Sequence, residues 1–237
     1  GAFSAASTLS TDGGEIALQG RLDTRSEAYG IELRCDSFPL NSFLPADSLG
    51  LLDLALQAGG SGFDPLRAQT RGNIRLQVDR AEFRGRDFGG VKLNANLEGG
   101  QLSGRLSDRD EALRLLLLIS GTLTERKQEV RLTGNVFDFD LAELGISPQK
   151  IGGSFALEAG ASASDAGSYT ARIALDSIEV RTRHRTDRIR PTSLSLSSDT
   201  TATRAKLASG DLSLAFVSPG PVDSLVPALT RSTDILA

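Results

Sequence analysis

Apolar residues recur at even spacings along most of the chain: Ile16, Leu18 and Leu22; Tyr29, Ile31, Leu33 and Cys35; Leu52, Leu54 and Leu56; Ile74, Leu76 and Val78; Val91, Leu93 and Leu97. A period of two places such side chains on one face of a β-strand and their neighbours on the other. The spacing returns at Leu113, Leu115, Leu117 and Ile119, at Val130, Leu132 and Val136, at Phe155, Leu157 and Ala159, and at Tyr169, Ala171, Ile173 and Leu175. Leu194 with Leu196, then Leu212, Leu214 and Phe216, complete it. About a dozen short strands at intervals of ~8–20 residues form an all-β rhythm, not a βαβ one.

Between these runs lie Asp12-Gly13-Gly14, Gly59-Gly60-Ser61-Gly62, Gly89-Gly90, Glu98-Gly99-Gly100, Asp165-Ala166-Gly167-Ser168 and Ser209-Gly210-Asp211. They read as hairpin turns, where glycine supplies positive φ without steric cost. No helical period follows any of them, which argues against a phosphate-cradling loop. Two stretches could be helical: Leu40 to Leu49, interrupted by Pro45, and the tail from Val222 to Leu236, where Pro227 would cost about 3 kcal/mol inside a helix.

One internal echo is visible. Leu54 to Ser61 aligns with Phe155 to Ser162 at an offset of 101, and Cys35 to Leu40 faces Gly134 to Leu141 at an offset near 99. The reading is two β-units, residues 1–110 and 111–218, followed by a short helical tail or linker at 219–237.

Composition narrows the classes. A net charge of −4 argues against a nucleic-acid binder, which needs a basic face. One cysteine and one histidine leave no internal disulfide and no tetrahedral zinc set, so no metal or cofactor is expected. The longest wholly apolar run, Leu115 to Ile119, is far short of the roughly 20 residues of a membrane-spanning helix. The chain starts Gly1-Ala2-Phe3, which reads as an internal fragment of something longer.

With almost no helix to cover it, the apolar side of the sheet must meet itself, as a sandwich, a closed barrel, or a sheet folded into a groove. The inward set is Leu, Val, Ile and Ala with few aromatics, which weakly favours a lumen that need not fill itself.

The run from Asn96 to Leu106, then Ala112-Leu113-Arg114-Leu115, Ser120-Gly121-Thr122-Leu123, Val130 to Val136 and Leu141-Ala142-Glu143-Leu144-Gly145, resembles the TamB translocation and assembly module family of AsmA-like proteins. Thr170 to Ile178 and Ser209 to Leu214 carry the flavour of its Bacteroidetes members. The likeness covers nearly the whole chain and rests on strand-and-turn texture, without a catalytic motif; the family's membrane anchor and distinctive C-terminal domain are not seen.

The resemblance implies an all-β, mainly antiparallel sheet curled into an elongated apolar groove in the periplasm of a Gram-negative cell envelope. It also implies a full-length protein anchored in the inner membrane. The function it implies is phospholipid transport between inner and outer membranes and support of outer-membrane protein assembly with an Omp85-type barrel partner. The alternative is an interaction scaffold that receives nascent outer-membrane strands by β-augmentation.

On this reading Leu54, Leu56, Leu115, Leu117, Leu132, Phe155, Leu157, Ile173 and Leu175 line the groove. Arg181, Arg183, Arg185, Arg188 and Arg190 fall within ten residues and could hold phosphate headgroups or an acidic partner, since guanidinium forks onto phosphate. The bland reading of that segment is a solvated basic hairpin. Catalysis is not expected: His184 lies among those arginines, Asp138 and Asp140 read as a solvated strand face, and Asp108, Asp110 and Glu111 as a hairpin tip. Cys35 reads as a buried, inert thiol.

Overall fold

A computed structural model describes residues 1–43, 49–164 and 167–221. They form sixteen strands of one antiparallel sheet. In chain order these are β1 (Ala2–Thr11), β2 (Gly14–Asp23), β3 (Ala28–Pro39), β4 (Leu49–Ser61), β5 (Arg71–Phe83), β6 (Arg86–Phe88), β7 (Val91–Glu98) and β8 (Gln101–Arg109). There follow β9 (Leu113–Leu123), β10 (Lys127–Asp140), β11 (Gly152–Ser164), β12 (Tyr169–Arg181), β13 (Thr186–Ile189), β14 (Thr192–Ser198), β15 (Ala202–Ser209) and β16 (Leu212–Pro219).

Sheet order follows chain order, except that the short β6 and β13 leave the path, pairing only with β5 and β12. The first and last strands do not meet, so the sheet stays open; the all-β architecture expected from the alternation is formed, as the elongated, curled sheet that the resemblance implies. Extended contact is confined to strands that neighbour one another in the sheet and to a 3₁₀ turn, Leu40–Ser42, against β4.

That turn is the only helical geometry among the described residues of the Leu40–Leu49 stretch; residues 44–48 and the expected tail helix at 222–236 lie outside the described residues. Pro219, the start of the expected tail, instead ends β16. The glycines of residues 59–62 were expected to turn the chain, yet Gly59, Gly60 and Ser61 sit inside β4. The reason is steric: a Cβ on Gly60 would stand 2.1 Å from the Arg71 carbonyl oxygen and 2.8 Å from the Tyr29 hydroxyl, so only glycine lets these strands and the tyrosine approach.

The echo is deeper than the sequence suggested. In β3 and β4, Tyr29 pairs with Gly60, Cys35 with Leu54 and Phe38 with Leu52. In β10 and β11, Val130 pairs with Ala161, Val136 with Phe155 and Phe139 with Gly153. Every one of these numbers differs by 101, so the offset of 99 that aligned Cys35 with Gly134 is replaced by one aligning Cys35 with Val136. Both ladders shift register at the same place, between Cys35 and Phe38 and between Val136 and Phe139. The off-path β6 and β13 recur likewise, so seven strands form the repeating unit, and pairing runs unbroken through β8 and β9 where one unit meets the next.

Further register shifts fall at the same end of the strands, near Leu52, Asp53 and Ser154. Such bulges bend the strand and increase its twist. Here they gather the small packed core: Cys35, Phe38, Ala112, Leu117 and Val136 are the buried apolar residues. Phe38 stacks on Phe43 with ring centres 5.0 Å apart, and Phe139 tilts against Phe155 at 6.0 Å.

Candidate functional site

Cross-strand partners in an antiparallel sheet point to the same face. Following them from strand to strand gives rows that run across the whole molecule. In one row Leu18, Leu33, Leu56, Leu76, Leu93, Leu106 and Leu117 are successive partners, and it continues through Gly134 to Leu157 and Leu175. The adjacent row runs Ile31, Ala58, Ile74, Ala95, Gly104, Ile119, Leu132, Ala159, Ile173, Leu194, Leu207 and Leu214. Neither carries a charge. The opposite face holds rows such as Gln19, Glu32, Gln57, Arg75, Asn94 and Arg105.

All nine residues singled out as a lining fall on the apolar face. Leu56, Leu117, Leu157 and Leu175 stand in the first row, and Leu132 and Ile173 in the second. Leu54, Leu115 and Phe155 stand in a third, beside the bulges. They differ in access: Ile173 is 46% exposed, while Leu117 is 6% exposed and belongs to the packed core. Leu18, Leu22, Ile31, Leu194, Leu212, Leu214 and Phe216 are also exposed on this face, toward the two ends of the sheet. A Cβ built on Gly20, in the second row beside Ile31, would meet nothing within 4 Å, so no layer covers the face there.

The arginine-rich segment forms the β12–β13 hairpin at the bulged margin. Arg181 bonds the Asp138 carboxylate, Arg190 bonds Asp211, and Arg185 pairs with Asp187 at 2.7 Å. Arg183 and Arg188 make no ion pair among the described residues and are exposed. His184 lies in the turn, its N–H donating to the Thr182 hydroxyl. Asp140 accepts the N–H groups of Ala142 and Glu143, so neither Asp138 nor Asp140 is a free acid.

Asp108 was read as part of a hairpin tip; it lies in β8 and is only 7% exposed. It pairs with Leu115 on the apolar face, and its carboxylate accepts the Asp110 N–H at 2.9 Å. Burial pushes its pKa above the usual carboxylate range, with that hydrogen bond pulling the other way. Asp110 accepts the N–H groups of Gly89 and Ala112, tying the β6–β7 link to the β8–β9 turn. Cys35 is buried as expected, and desolvation raises its thiol pKa. No cluster of metal-ligating side chains occurs among the described residues.

One depression of about 610 Å³ is lined by the charged Glu129, Arg131, Glu158, Arg172, Arg204 and Lys206 together with apolar residues such as Val130, Ala159, Leu196 and Phe216. It mixes both signs, and Arg131 is already paired with Glu129 at 3.6 Å. The apolar face is therefore the stronger candidate site, as the larger and chemically more uniform surface. Comparison with family models, curated proteins and solved structures returned no match, so the likeness to TamB rests on the sequence texture alone.

Proposed function

We propose that this chain is a periplasmic segment of a TamB-like protein, working without catalysis of its own. Its apolar face shields the acyl chains of phospholipid in transit between the two membranes of a Gram-negative envelope, and the full-length protein supports outer-membrane protein assembly with an Omp85-type barrel. The observation that carries this reading is the pair of uncharged rows, one crossing ten strands and the other twelve, partly exposed along much of their length. Each methylene laid on such a surface is worth about 0.8 kcal/mol, so an acyl chain is held by many small, non-directional gains and can slide along the row. Arg183 and Arg188, which make no ion pair among the described residues, meet the phosphate headgroups at the bulged margin.

Adjacent strand residues point to opposite faces and so control for one another. A photocrosslinking residue at Leu157 or Ile173 is expected to capture phospholipid in the cell envelope, while one at Glu158 or Arg172 is not. Adducts at both sets, or at neither, would remove the reading.

A further inference from the structure

The two repeats share their ladders but differ on the face opposite the apolar rows, where each serves as a control for the other. In the first, Gly59, Asn73, Asn96 and Ser103 are successive partners; in the second, the same register holds Gly160, Arg172, Ser195 and Lys206. In the row beside them Arg71, Glu98 and Gln101 give way to Thr170, Ser197 and Arg204, so two hydroxyls replace an ion pair of 3.5 Å. In the row on the other side Asn94 gives way to Ser193. The first repeat forms its ladder with neutral residues at the counterpart positions, so the fold itself has no need of Arg172, Arg204 or Lys206.

The exchange lowers a floor and raises cationic walls around it. Ser193, Ser195 and Ser197 alternate along β14 on this face, half-buried, and their hydroxyls have no hydrogen-bond partner among the described residues. Arg172 and Lys206 flank Ser195 from the neighbouring strands, roughly 10 Å apart at the backbone. Both are exposed and make no ion pair among the described residues, whereas Arg204 holds Asp199 at 3.6 Å. Ser195 and Ser197 line the 610 Å³ depression with these three cations, and Ser193 leads into a second, about 550 Å³, that shares Arg172 and Glu158 with it. Of the two carboxylates, Glu129 is taken up by Lys127 at 2.7 Å and Arg131 at 3.6 Å. Glu158 makes no ion pair among the described residues and stands on β11, two strands from β14.

We propose that this serine floor binds a phosphate ester whose body carries hydroxyl groups, a phosphorylated saccharide being the simplest such ligand. With the phosphate over Ser195, the Arg172 guanidinium forks onto two of its oxygens and the Lys206 ammonium meets a third. The Ser195 and Ser197 hydroxyls add neutral donors to the same group. The depressions are of the size that small organic ligands occupy, so the phosphate comes with the body that bears it. Ser193 and Glu158 then meet that body, the carboxylate accepting from its hydroxyl groups while standing away from the phosphate. The site lies on the face opposite the apolar rows, and the inference does not depend on the lipid reading.

Titration calorimetry of the 237-residue chain with glucose 6-phosphate, in a buffer free of other phosphate, is expected to show saturable binding that added salt weakens. Arg172→Gln and Lys206→Gln are each expected to weaken it about tenfold. Ser195→Asn, which restores the residue of the first repeat, is expected to abolish it with circular dichroism and melting unchanged. Inorganic phosphate is expected to bind less tightly than the ester, and Glu158→Gln to narrow that preference. No saturable binding, binding that the substitutions at Arg172, Lys206 and Ser195 leave unchanged, or inorganic phosphate held as tightly as the ester would overturn the proposal. So would affinity for phosphatidylglycerol vesicles that depends on Arg172 and Lys206 with none for the soluble ester, which would make this a headgroup site.

Discussion

Asp108 stands where the repeat places Leu9, as the pairing of Leu9 with Ile16 and of Asp108 with Leu115 makes plain. A carboxyl group has replaced an apolar side chain in an apolar row, and burial holds its pKa above the ordinary value. The folded state therefore prefers the protonated form. The contribution of this group to stability is fully present below the ordinary carboxylate pKa and is lost as pH rises through the raised one. Asp108→Asn keeps an acceptor for the Asp110 N–H without the charge. Its melting temperature is expected to exceed that of the parent at pH 8 and to match it at pH 3, and equal curves at both would refute the burial argument. Sequence alone gave no means of finding this residue, because a string of Asp108, Asp110 and Glu111 reads as any polar hairpin tip. The face on which the nine candidate residues lie was legible because a period of two determines it regardless of what the strands do next.

Glycines show how the elements were more legible in some places than in others. Gly153 lies where β11 passes the bulge; a Cβ there would stand 2.1 Å from the Glu179 carbonyl oxygen and 3.0 Å from the Phe139 ring. Gly20 faces open space. Gly153→Ala is expected to destabilise the sheet by about 1–3 kcal/mol, the usual cost of overpacking, and Gly20→Ala to be neutral or slightly stabilising, as chemical denaturation would measure. Strands rich in leucine announced themselves, but β1 and β15, built largely from Ala, Ser, Thr and Lys, carried no such signal. The bulges at Cys35 and Val136 were invisible for another reason: they depend on how two strands meet, and a one-residue shift of register has no mark of its own in either strand. Even so, the echo that the sequence displayed in β4 and β11 led to the matching bulges in the strands before them.

At the scale of the molecule, extended contact among the described residues is limited to neighbouring strands, so stability accumulates step by step along the sheet. Local opening is then cheapest where a strand has one neighbour and dearest in the middle. Hydrogen exchange of the monomeric chain is expected to be fastest in β1 and β16 and slowest in β9 to β11, which border the buried Leu117 and Val136. Uniform protection would mean that the sheet unfolds as one block.

The seven-strand period also makes the chain a ruler. From any strand to its counterpart, such as β2 to β9, the path takes six sheet steps, because the short sixth strand stands aside. At about 4.8 Å per step, one repeat carries the apolar track forward by roughly 29 Å along its contour. Distance is thus written in whole repeats. Duplicating or deleting one, cut between equivalent strands, changes the reach of the track by a fixed increment and leaves every local pairing as it was.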